Sequence, residues 1–74
     1  MRYIVVELQD MGSSVANLVT AYDNVYSAEQ KYHQVLSAAA VSTVPTHSAI
    51  MLNSEGMYIK SEAYKHEEEE PQEE

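Results

Sequence analysis

A chain of 74 residues with a net charge of −8 and no cysteine is limited to one small domain whose thin core no disulfide can staple. Four basic residues against twelve acidic ones cannot supply the clustered Lys and Arg that nucleic-acid phosphates or anionic membranes require, so neither is an expected partner. No apolar stretch approaches the roughly 20 residues of a membrane helix. The run Tyr3–Val6, ended by Glu7, is too short for a signal peptide, and the lack of cysteine fits a reducing compartment. The expected location is cytoplasmic.

Residues 3–8 form the first expected strand, because β-branched and aromatic side chains dominate and Ile4, Val6 and Leu8 share one face. Asp10–Ser14 is a turn cluster, and residues 15–22 are a second strand, giving a hairpin. Ser27, with Gln30 three residues on, has the spacing of a helix N-cap and capping box. The helix is expected from Ala28 to Val41, with Tyr32, Val35, Leu36, Ala39 and Ala40 in one apolar stripe and Lys31, His33 and Gln34 turned away. The run Ala38–Ala40 suits close packing on a sheet, and Pro45 stops the helix from continuing. Residues 47–52 are a third strand. Asn53–Gly56 suits a type I turn, and residues 57–64 alternate as a fourth strand.

The fold class is α+β. The order ββαββ implies a four-stranded, mainly antiparallel sheet with one helix on one face. Residues 1–66 make one domain. Residues 67–74, Glu-Glu-Glu-Glu-Pro-Gln-Glu-Glu, hold six of the twelve acidic residues and are expected to be a disordered, solubilising tail. The functional reading of the same segment is an acidic arm that competes for a basic groove.

A single helix leaves the second sheet face open. Placing Ile4, Val6, Leu8, Leu18, Met57 and Ile59 under the helix puts Tyr3, Val5, Val19, Ala21, Tyr58 and Tyr64 on the far side. The third strand adds either Ile50 and Leu52 or Ala49 and Met51 to that side. Contiguous apolar area with tyrosines marks an interaction surface, so Tyr3, Val5, Val19, Tyr58 and Tyr64 are the candidate partner-binding residues. The partner is another protein or a second copy of the chain.

Catalytic and metal chemistry find little support. His33, His47 and His66 have no ligand spacing, and there is no cysteine to complete a zinc set. No serine lies in a G-x-S-x-G elbow. Asp23 and Glu55 read as solvated turn carboxylates, and Gly12 and Gly56 make no phosphate-cradling loop. The expectation is a non-enzymatic protein without a cofactor.

The strings Lys31-Tyr32-His33, Ser37-Ala38-Ala39-Ala40-Val41-Ser42 and Pro45-Thr46-His47-Ser48-Ala49 resemble short uncharacterised proteins encoded by bacteriophages and prophages. The resemblance covers nearly the whole chain: hairpin, helix ending in an alanine run, hairpin and Glu/Pro-rich tail. It implies a setting, the host cytoplasm or the virion, and no activity. Two functions follow as expectations. One is a self-associating interaction protein, a structural or assembly accessory. The other is an acidic inhibitor of a host nucleic-acid-binding defence enzyme, in the manner of anti-CRISPR proteins.

Overall fold

The computed structural model describes residues 2–66; the acidic segment 67–74 lies outside the described residues. The elements run β1 (Tyr3–Asp10), β2 (Val15–Tyr22), α1 (Val25–Ala40), β3 (Thr46–Asn53) and β4 (Tyr58–Lys65). The sheet order is β2-β1-β3-β4, with every neighbouring pair antiparallel. The expected ββαββ architecture is therefore the one observed. The α1 connection carries the chain over β1, so that β3 pairs on the opposite side of β1 from β2.

Local chemistry explains the element ends. In the first hairpin the Gly12 N–H donates to Asp10 Oδ1 at 2.9 Å, and Gly12 takes φ 93°, a conformation open mainly to glycine. In the second, Asn53 Oδ1 accepts from the Glu55 and Met57 N–H groups at 2.9 and 3.0 Å. The Gly56 N–H closes that turn on the Asn53 carbonyl at 2.9 Å. The helix begins earlier than the Ser27 capping pattern implies. Asn24 is the N-cap, and its Oδ1 accepts from the Ser27 N–H at 2.9 Å. Asn is as good a cap as Ser, and starting at Val25 adds three residues to the helix.

The core lies between α1 and one sheet face. Ala28, Tyr32, Val35 and Leu36 from α1 meet Val5, Ala49 and Met51 from the two central strands, and Ala39 is buried as well. The small side chains of Ala28, Ala39 and Ala49 let the helix approach the backbone closely. Ala38 and Ala40 are exposed, so only the middle residue of the alanine run is buried.

The structure reverses much of the expected division of the sheet. Val5 is wholly buried under α1, with Tyr3, Tyr22 and Tyr64 packed against the same core. Tyr3, Val5 and Tyr64 therefore belong to the helix side and are not on a free face. Period-two alternation then puts Ile4, Val6 and Leu8 on the open side. Val19 and Tyr58 remain exposed. The physical reason is that alternation defines two faces and does not say which one the helix covers.

Met51 is the largest fully buried side chain. Met51→Ala should lower the unfolding free energy by about 2–5 kcal/mol, read from urea denaturation followed by circular dichroism. Asn24→Ala should cost about 0.5–2 kcal/mol through the lost cap.

Candidate functional site

The strand registers arrange the open face in rows. Across the sheet, Ala21, Ile4, Leu52 and Tyr58 form one row, and Val19, Val6, Ile50 and Ser61 the next. Asn17, Leu8, Ser48 and Ala63 form a third. None of these three rows contains a charged side chain. A fourth row, Val15, Asp10, Thr46 and Lys65, brings the first charges at one end of the sheet. At the other end the register shifts between Met51 and Leu52, so Leu52 opposes Tyr58 and Ile59 is the extra residue of a bulge. Tyr58 Oη lies 3.3 Å from Ser61 Oγ. No described element lies on this face, and Val19 is 57% exposed. The centre of this face is uncharged and mostly apolar, and its first charges stand at the Asp10–Lys65 end.

The helix side is the more polar of the two. Lys60 Nζ lies 2.7 Å from both Glu29 carboxylate oxygens and 4.8 Å from the Tyr32 ring centroid. The hydrogen bond from Lys60 is the main influence holding the Glu29 carboxyl below its usual range. Burial raises the Tyr32 phenol. These contacts tie β4 to the first half of α1.

A second polar cluster ties β1, β3 and the turn after α1. His47, only 3% exposed, places Nε2 2.7 Å from Glu7 Oε2 and Nδ1 3.1 Å from Ser42 Oγ. Gln9 Nε2 donates to the same Glu7 oxygen at 3.1 Å. An ionised carboxylate only accepts, so His47 Nε2 carries a proton and donates to Glu7. In the neutral ring Nδ1 then accepts from the Ser42 hydroxyl. Burial acts to raise the Glu7 carboxyl. The hydrogen bonds from His47 and Gln9, with the charges of His47 and Lys31, outweigh it and hold the group below its ordinary value.

The serine, imidazole and carboxylate are in the order a hydrolase uses, and they also tie the turn after α1 to β1 and β3. Ser42 Oγ also accepts from the Val44 N–H at 3.2 Å, which employs it in the turn leading to Pro45. A shallow cleft of about 140 Å³ opens nearby, lined by Glu7, Gln9, Ala16, Asn17 and Leu18. Neither Ser42 nor His47 lines it. His66 has a similar structural use: Nε2 donates to the Ala39 carbonyl at 2.7 Å, and its ring stacks on Tyr64. Reading His47 only as a strand opener misses this cluster. Glu7 and His47 each sit beside a buried residue on the same face, Val5 and Ala49, and that burial is visible only in the folded chain.

Of the five candidate residues, the structure keeps Val19 and Tyr58 on the open side and withdraws Tyr3, Val5 and Tyr64 to the helix side. Ile4, Val6, Leu8, Ile50 and Leu52 take their place. Arg2 Nε binds Asp23 Oδ1 at 3.0 Å on the surface, an exposed pair of little energetic weight. Among the described residues, no group of three or more His, Cys, Asp or Glu is placed to hold a metal ion, and no helix is long and apolar enough to cross a membrane. No family model, curated protein or solved structure matches this chain.

Because the folded Glu7 carboxyl is depressed, its stabilising contribution is present above the unfolded chain's ordinary value of 4.5. It is lost as the pH falls through the lower folded value. Glu7→Gln should therefore be less stable than the wild type at pH 7. Its urea midpoint should also fall less than the wild type's between pH 5 and pH 3, with circular dichroism as the readout.

Proposed function

We propose that this protein is a non-enzymatic interaction module that associates with a second copy of itself through the helix-free sheet face. It would serve as a structural or assembly accessory. The observation that carries this reading is the three adjacent rows centred on Val6, spanning all four strands without a charged side chain. The resemblance of Lys31–His33 and Pro45–Ala49 to short phage and prophage proteins suggests the setting.

Two physical arguments support it. A domain of this size buries too little apolar surface inside itself to be comfortably stable, and covering a second apolar face relieves that shortage. The composition of the two faces also points this way. The helix side holds Glu7, His47, Lys60 and Glu62, while Ile4, Val6, Leu8, Ile50 and Leu52 are on the side without a helix. Aliphatic rows of this kind are the pattern of a surface that a partner covers.

Val6 sits at the centre of the face, between Val19 and Ile50. Val6→Lys should keep the circular dichroism of the wild type and weaken self-association by at least about tenfold, because an unpaired charge would have to be desolvated. Sedimentation velocity over a concentration series measures this. A wild type that stays monomeric throughout, or a Val6→Lys variant that associates as tightly as the wild type, would refute the reading.

A further inference from the structure

We infer that the outer edge of β2, which pairs with no other strand among the described residues, pairs antiparallel with the β2 edge of a second copy, joining two four-stranded sheets into one continuous sheet. This goes beyond association through the open face and does not require it. The two surfaces are at right angles, one made of side chains and the other of backbone.

The two sheet edges are built differently. β4 carries Lys60, Glu62 and Lys65, the charges with which proteins guard an edge against further pairing. β2 reads Val-Ala-Asn-Leu-Val-Thr-Ala-Tyr and has no charge, no proline and no glycine. It is also the strand least covered by the helix: six of its eight residues are exposed, with Val15 at 55% and Leu18 at 51%. No bulge interrupts its pairing with β1, so eight residues present a regular backbone.

Which backbone groups are free follows from the hairpin. The Met11 N–H donates to the Ser14 carbonyl at 2.9 Å, so Met11 and Ser14 face each other as a hydrogen-bonded pair. In an antiparallel ladder such pairs alternate with non-bonded ones. Along the β1–β2 register, Ala16, Leu18, Thr20 and Tyr22 therefore bond inward to β1. Val15, Asn17, Val19 and Ala21 turn their N–H and C=O outward.

These outward groups fit a copy of themselves. A twofold axis at Leu18 sets Val15 opposite Ala21 and Asn17 opposite Val19, each the other's mate across the axis. All four outward residues then lie in hydrogen-bonded pairs, giving roughly eight new bonds. Leu18 meets its own counterpart on the helix side at a close, non-bonded position. The charge argument also favours a second copy. Two chains of −8 repel each other, and a strand without charges lets them approach with no like-charged pair in the seam. The partner would also cover the cleft beside Ala16, Asn17 and Leu18.

Amide hydrogen exchange on the full chain, at a concentration where sedimentation shows self-association, tests this directly. The Val15, Asn17, Val19 and Ala21 amides should exchange as slowly as those of β1. Leu18→Lys places like charges opposite each other at the axis. It should release those four amides and abolish the association made through the edge, while β1 amides and circular dichroism stay unchanged. Asn17→Pro removes one outward N–H and no bond to β1, and it should weaken association by about tenfold. Freely exchanging outward amides in an associated wild type would overturn the edge pairing. So would a Leu18→Lys variant that still associates with those amides protected, or a wild type that is monomeric at every concentration. The Val6→Lys variant separates the two surfaces. If it dissociates the protein while the outward wild-type amides exchange freely, the face stands and the edge fails. If it has no effect and Leu18→Lys dissociates the protein, the edge stands and the face fails.

Discussion

One helix lies on a sheet of four strands, and it can cover only one side. A helix of 16 residues is about 24 Å long, which roughly matches strands of eight residues at about 3.4 Å each. It touches all four strands, with its contacts heaviest on β3 and β1 and thinnest on β2. The core therefore concentrates on β1 and β3, where Val5, Ala49 and Met51 are wholly buried. β2 receives little of the helix. Both the open face and the open β2 edge are consequences of this geometry.

The polar contacts on the helix side help to specify the packing. Burying His47 and Glu7 costs solvation, and such a pair is weak evidence for stability. Contacts between the sheet and α1 are better evidence for specificity. An aliphatic row, Ile4, Val6 and Leu8, is available on the other side of β1 and would pack well under a helix. In that arrangement His47 would lose Ser42, and Lys60 would lose Glu29. The observed facing satisfies both of these contacts between the sheet and α1 or the turn after it. A one-residue slip in register exchanges the two faces, so contacts that exist in only one facing discriminate between them.

The open face and the charge-free edge have a common physical basis. A small chain buries only a thin core, and the net charge of −8 opposes the close approach of a second copy. Surfaces that lack charge are where association costs least electrostatically. In this molecule they form a connected region, because Val15, Asn17, Val19 and Ala21 lie at the margin of the open face and also turn their backbone groups to the edge.

Taken alone, the 74 residues reveal the number, kind and order of the elements. Alternation, turn residues and the helical stripe are local properties, and the strand ends fall within a residue or two of their expected places. The helix start is missed by three residues because Asn24 and Ser27 are both competent caps, and only the folded chain shows which one is used. Strand order, the facing of the sheet and the meeting of Glu7, Ser42 and His47 are not local. A period of two assigns Val5 and Val6 to opposite faces with equal ease whichever face the helix takes. That choice depends on whether groups such as Lys60 and Glu29, 31 residues apart in sequence, meet between the sheet and the helix, and such pairings exist only once the chain has folded.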